Sequence, residues 1–224
     1  MVHVTIGTLM VPSVAFFQQN GECSERISNI SNDIIATETA KVMLQVYREL
    51  GCLLEIINLP GRRSFSAFNT GEVDGELYRF PIGTKNYTRP FVQSDLPLFE
   101  ISNSLWAAPG SKRYAERPIG YMIGVAWQEA YLATNNLLKS GHFDIGDLIL
   151  HYNDGNLDRF LAEDFSIKSA IRAGTFEEGR TPVQLEVLKV GVVYHFLGDK
   201  FTPFMQRLSD YLKDHQPFVD VGHI

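Results

Sequence analysis

A single pattern, written twice, limits the folds open to this chain: short β-branched or leucine-rich runs alternate with amphipathic helical runs. In the first half, residues 2–9 alternate as a strand and 12–23 read as a loop. Ser31, Asn32 or Asp33 then offers a side-chain oxygen to cap a helix. Its inner face is Ile35, Thr39, Val42, Met43, Val46 and Leu50, and Gly51 ends it. Residues 53–59 form a strand halted by Pro60, 62–69 make two helical turns ended by Gly71, and 73–80 form a third strand. The second half repeats the order, with a strand at 119–125, a helix at 128–139 stopped by Ser140-Gly141, a strand at 147–152, a short helix at 156–162 and a strand at 166–172. Each unit reads β-α-β-α-β, the order of parallel strands joined by crossover helices.

The connections carry their own signals. Residues 90–108 are apolar and punctuated by proline, with a strand at 102–108. A long β-branched run fills 185–197, and 200–215 closes the chain as an amphipathic helix with Phe201, Phe204, Met205, Leu208 and Leu212 on one face. Two lobes facing a cleft and one continuous doubly wound domain both satisfy this periodicity. In either, ligands sit at the carboxyl ends of the strands.

Charge and composition exclude several functions. A formal net charge of -6 lacks the basic footprint of a nucleic-acid binder, so no nucleic acid is expected. No apolar run approaches the ~20 residues of a membrane helix. The first residues lack a basic export signal, which fits either a cytosolic protein or a processed chain. There is no Cys-x-x-Cys, and the six histidines are scattered, so neither a metal nor a cofactor is expected. His151 and Asp154 read as a surface or capping pair. No phosphate loop, dinucleotide fingerprint or nucleophile elbow is present. Cys23 and Cys52 fit either one disulfide or two free thiols.

The run "INLPGRRSFSAFNTGEVDGELYRFP" (57–81) resembles bacterial extracellular solute-binding proteins of family 3, the periplasmic binding protein type II fold, in a divergent branch. The matching parts are Pro60, Arg63-Ser64, the turn Gly71-Glu72-Val73-Asp74-Gly75, and Glu76 with Arg79 three residues on. "RPIGYMIGVAWQEAYL", "NLDRFLAEDFSIKSAI" and "VVYHFLGDKFTPFMQRLSDYLKDH" are similar to later family segments in the same order. The resemblance implies an α/β protein of two lobes, 1–100 with 191–224 and 101–190, joined by a two-strand hinge.

It also implies a function. The cleft would hold a small polar, carboxylate-bearing solute for a transporter permease, in a monomeric periplasmic protein without its export segment. A sensory module is the alternative reading, and a dehydratase-like enzyme using Glu76 a minor one. Arg79 near its strand end offers a fork to an anion, with Glu76 and Arg63 nearby. In amino-acid binders of this family Thr-x-x-Arg grips a carboxylate; here Thr84 is followed three residues later by Tyr87, and Arg89 lies two further on. Asp164 is the nearest match to the acidic residue that holds an ammonium. Phe16, Tyr78, Tyr87, Trp106 and Trp127 are the candidate aromatic walls, Trp127 at a strand-to-helix turn where backbone N–H groups also receive anions.

Overall fold

The computed structural model describes residues 23–31, 33–111 and 116–221. The expected strand at 2–9 and the candidate Phe16 lie outside them. The strand that opens the first unit is β1 (Arg26–Ile30), followed by α1 (Ile34–Glu49), β2 (Glu55–Leu59), α2 (Gly61–Thr70) and β3 (Gly75–Arg79). Sequence reading passed over β1 because Ser28 and Asn29 sit in its middle, yet both are buried and bonded. Ser28 Oγ lies 2.7 Å from Ser64 Oγ, and Asn29 donates to Asn58 Oδ1 at 3.1 Å. Asp33 caps α1 by accepting from the N–H groups of Ile35 and Ala36, and Gly71 ends α2 at φ 78°, a left-handed conformation that glycine adopts without a steric penalty.

The second half corrects the sequence reading by one element. After β4 (Phe91–Gln93) and β5 (Phe99–Ala107) come β6 (Ile119–Met122), α3 (Ala126–Thr134), β7 (Lys139–His142), α4 (Ile145–Asn153), β8 (Arg159–Glu163), α5 (Asp164–Arg172), β9 (Val183–Gly198) and α6 (Thr202–His215). The expected helix stop at Ser140-Gly141 is part of strand β7. The expected strand at 147–152 is helical because Leu148, Ile149 and Tyr152 share one buried helical face while Leu150 is exposed, and Asp144 caps the helix through the Asp147 N–H. The expected helix at 156–162 holds β8, a central strand buried on both faces and so without alternation. The expected strand at 166–172 is α5, capped by Glu163.

The strands run in the order β2-β1-β3-β9-β5-β8-β6-β7, with β4 also on β9. The carboxyl half of β9 lies between β3 and β4, and its amino half pairs with β5 from Val183 opposite Ala107 to Val193 opposite Phe99. Thus β2-β1-β3-β9-β4 forms one lobe's sheet and β7-β6-β8-β5-β9 the other's, with the same internal order. The β5–β9 ladder joins them and shifts register at Asn103/Ser104 and Leu105/Trp106, irregularities that bend a ribbon.

Each lobe has its own core. In the first, Met43 and Tyr47 of α1 meet Phe204 and Leu208 of α6 around Leu77 and Val193. A buried polar chain crosses this core. His195 Nδ1 donates to the Leu77 carbonyl at 2.9 Å, which leaves Nε2 to accept from Tyr47 OH at 2.9 Å, and Ser24 Oγ meets that hydroxyl at 2.7 Å. Burial pushes the His195 pKa down to about 4. In the second lobe, Trp106, Tyr152, Phe160 and Ile167 pack between sheet and helices.

Cys23 and Cys52 form a disulfide across 29 residues, tying the entries of the parallel neighbours β1 and β2. Closing a loop of that length restricts the unfolded chain by about 3–4 kcal/mol. Replacing both cysteines by serine is expected to lower unfolding stability by about that amount in a urea titration, with a steeper slope because the freed unfolded chain exposes more surface.

Candidate functional site

Parallel strands aim their carboxyl ends at a common edge, and the two lobes set these edges face to face. Between them lies a cavity of about 60 Å³. The first lobe supplies Ile30, Asp33 and Ile35 at the β1–α1 turn, Phe65 of α2, and Tyr78, Arg79 and Phe80 at the end of β3. The second supplies Met122 at the end of β6, Val125 to Gln128 at the start of α3, and Glu163 at the end of β8. Ile101, Asn103 and Val193 of the joining strands form the floor. The walls are mostly apolar, with a few polar groups converging, the usual make-up of a small-molecule site.

Charge is laid out asymmetrically. Arg79 is 7% exposed, and its guanidinium meets Glu76 side-on, Nε to Oε2 at 3.1 Å and Nη2 to Oε1 at 2.8 Å. Nη2 also reaches the Gly61 carbonyl at 3.4 Å, and the group stacks 4.5 Å over Phe65. Ser64 and Tyr87 hydroxyls both donate to Glu76, so that carboxylate is saturated behind the cavity wall. Nη1 of Arg79 makes no hydrogen bond to a described residue.

Asp33 and Glu163 form no ion pair with a described residue, although the Arg79 charge offsets part of the upward shift at Asp33. Burial and, for Glu163, the Asp33 charge push their pKa values up, to about 6 for Asp33 and about 7 for Glu163. Each also caps a helix that faces the cleft, Asp33 on α1 and Glu163 on α5 through the Phe165 and Ser166 N–H groups. Those two helix N-termini therefore already hold an anion. Helix α3 differs. Its cap residue is Val125, with no side-chain cap, and the first-turn residues Ala126 and Trp127 line the cavity. Their backbone N–H groups have no side-chain cap, and the carboxylate of the first turn, Glu129, is turned to the Gly124 N–H and Arg62.

The sequence candidates divide. Tyr78, Arg79 and Trp127 line the cavity, and Glu76 stands directly behind Arg79. Four others are placed away from the cavity lining. Arg63 lies on the outer face of α2, facing Glu72 at 3.8 Å with 64% of its side chain exposed. Tyr87 packs on Phe68 with ring centroids 4.6 Å apart, and its hydroxyl is spent on Glu76. Arg89 donates to the Phe68 and Val73 carbonyls at 2.8 and 3.3 Å, closing the C-terminal turn of α2 rather than an anion site. Trp106 belongs to the second lobe's core. Asp164, 4% exposed, lies beside the cavity and ties α5 to both joining strands, accepting from Ser102 Oγ at 2.7 Å and Gln184 Nε2 at 2.9 Å.

Asp33 and Glu163 are the charged groups that sequence reading did not assign to the site, and Asn103 and Gln128 the uncharged polar ones. Asp33 was visible as a helix cap, and the signal for its second role is its place directly after a parallel strand. Glu163 is one residue from the chosen Asp164, and a strand buried on both faces gave no alternation to choose between them.

The lobes also touch outside the cavity. Arg62 reaches Glu129 at 3.1 Å, and Glu129 accepts from the Gly124 N–H at 3.1 Å. A Cβ on Gly61 would stand 3.1 Å from the Ile123 carbonyl oxygen, and one on Gly124 would stand 2.3 Å from the Arg62 nitrogen. Side chains at these two positions would hold the lobes apart.

No family profile and no curated protein matches the chain. Solved structures do. An ancestral arginine-binding protein bound to arginine aligns with a TM-score of 0.71 at 10% identity, covering 88% of this chain and 95% of that one. The amino acid ABC transporter substrate-binding protein AbpA from Streptococcus pneumoniae, bound to L-arginine, aligns at 0.68 and 14% identity over 88% and 92%. An arginine 3rd transport system periplasmic binding protein from Legionella pneumophila aligns at 0.69 and 13% identity over 88% and 97%. At these identities the likeness establishes the fold: the chain has the two-lobed architecture of periplasmic binding proteins.

Proposed function

We propose that the chain is a solute-binding protein that closes its lobes, 1–100 with 191–224 and 101–190, on a small amino-acid-like solute. The observation that carries this reading is the division of charge at the cavity. Asp33 and Glu163, buried carboxylates in no ion pair with a described residue, suit a cationic nitrogen, while Nη1 of Arg79 and the α3 N–H groups without a side-chain cap suit a carboxylate. Tyr78, Phe65 and Trp127 provide the apolar walls. The structural neighbours bind amino acids for transport, which supports delivery to a membrane permease in the periplasm. The disulfide agrees with an oxidising compartment. A cavity of about 60 Å³ has room for roughly two water molecules, so solute entry requires the lobes to part at the β5–β9 ladder. Glu76 is locked by Arg79, Ser64 and Tyr87, so it is not a free base for a dehydratase.

Thermal-shift screening of amino acids, amines and dicarboxylates is expected to select amino acids, since bound solute stabilises by mass action. Preference for dicarboxylates, or conversion of a hit to product, would defeat the reading. A cationic nitrogen beside Asp33 and Glu163 lowers their pKa values, so binding near pH 6.5 is expected to release protons, read by calorimetry in buffers of different ionisation enthalpy. An anion would instead cause uptake.

In the solute-free protein the same raised pKa values mean that the folded state holds more protons than the unfolded one. Stability is therefore lost as pH rises from 4.5 to about 7. Over that range Glu163→Gln is expected to gain about 1–3 kcal/mol relative to wild type in urea titrations. Gly61→Val is expected to weaken solute binding fivefold or more, since crowding of this kind costs about 1–3 kcal/mol and only in the closed state. Unchanged affinity in that variant would show that closure at Gly61 and Gly124 is not part of binding.

A further inference from the structure

Strand β7 ends on His142, and helix α4 presents Asp147 and His151 one turn apart on a single face. The turn between these elements folds the three side chains together, although the sequence keeps the histidines nine residues apart. One ligand atom from each residue lies within 4.8 Å of the others. The Asp147 carboxylate stands between two imidazoles, with Oδ2 at 3.2 Å from His142 Nδ1 and Oδ1 at 3.3 Å from His151 Nδ1. The ring centroids are 4.8 Å apart.

We propose that this cluster is a binding site for one divalent transition-metal ion of the zinc type, with water completing the coordination. The donor set and its geometry both point there. Two imidazole nitrogens and one carboxylate suit zinc and its first-row neighbours, whereas calcium and magnesium require mostly oxygen. An ion about 2.0–2.1 Å from each ligand in a tetrahedral site separates neighbouring ligand atoms by about 3.3 Å, which matches the 3.2 Å between His142 Nδ1 and Asp147 Oδ2; His151 Nδ1 donates to the Asp147 carbonyl at 2.9 Å, so that ring offers Nε2 to the ion.

The surroundings are those of a supported ligand set. Ser140 Oγ lies 3.2 Å from His142 Nε2 and orients the ring so that Nδ1 faces the Asp147 carboxylate, and an ion bound there takes the place of the Nδ1 proton. The carboxylate is also held from the backbone by the Phe143 N–H at 3.3 Å. Such partners orient metal ligands in known sites. His142 is 2% exposed and fixes the inner wall, while the side chains of Asp147 and His151 are 33% and 44% exposed and leave a way in from solvent. None of the three lines the inter-lobe cavity, so the site is independent of solute binding.

The test uses the full chain, free of any histidine tag and stripped with chelator, titrated with zinc chloride alone by calorimetry. One zinc per chain is expected, with a rise in Tm and no comparable response to calcium or magnesium. Cobalt(II) in its place is expected to give the visible spectrum of a low-coordinate site with nitrogen ligands. His142 is buried, and its replacement can unfold the lobe. The decisive variants are therefore the exposed His151→Ala and Asp147→Asn, each expected to weaken zinc binding at least about tenfold while solute binding stays as in wild type. Absence of stoichiometric zinc binding would overturn the proposal. So would zinc binding of unchanged affinity in both variants, which would assign the ion to other donors such as His215 or the cleft carboxylates.

Discussion

Two antiparallel strands, β5 and β9, carry the chain between the lobes, β9 as a member of both sheets, and the placement of every other element follows from that pairing. The chain leaves the first lobe on β5, completes the second, and returns on β9, whose 16 residues span both. Because the two strands hydrogen-bond to each other along the crossing, the sheets are tethered at one edge and free at the other. The carboxyl ends of β1, β3, β6 and β8 then face a shared space. The register shifts at Asn103 and Leu105 fall where this ladder passes beneath the cavity, the part of the molecule that would bend if the lobes part.

Within that frame, electrostatics decides what the cavity favours. Arg79 looks, on its strand alone, like an anion receptor, but Glu76 neutralises it from three residues away, and Ser64 and Tyr87 complete the cluster. Removing one member of such a buried pair usually costs about 3–5 kcal/mol, because the other is left as an uncompensated charge. The arginine is thus first a structural group holding β3 to α2. Asp33 and Glu163 have the reverse character: each stabilises a helix start while leaving the cavity with excess negative charge, and burial holds them close to protonation at neutral pH. The start of α3 has no side-chain cap, and its first-turn carboxylate, Glu129, is engaged by Arg62 and the Gly124 N–H.

Sequence reading succeeded where one face of an element is wet. Helices α1 and α6 and the ends of α2 were located from their apolar stripes and from Asp33 and Gly71. It slipped in the second lobe, where β8 is buried on both faces and the α4 segment is a short apolar run that periodicity alone does not assign. It missed β1 because Ser28 and Asn29 are polar, and their partners, Ser64 and Asn58, lie far along the chain. The same reason separates the candidate residues. Tyr78, Arg79 and Trp127 follow from position at a strand end or turn, while Arg63, Tyr87, Arg89 and Trp106 have suitable chemistry but are committed to neighbours that no local pattern names.

Read alone, the sequence determined the alternation of strands and helices, the two units, the long connections that become the crossing strands, and the helix that returns to the first lobe. Those features depend on local periodicity, capping and turn chemistry, which act over a few residues. Tertiary structure decided the pairing of Cys23 with Cys52, the neutralisation of Arg79, the meeting of Asp33 with Glu163, and the convergence of His142 with Asp147 and His151. Each of these depends on distances between segments, which the hydrogen-bonded order of the strands sets and the composition of any one segment does not.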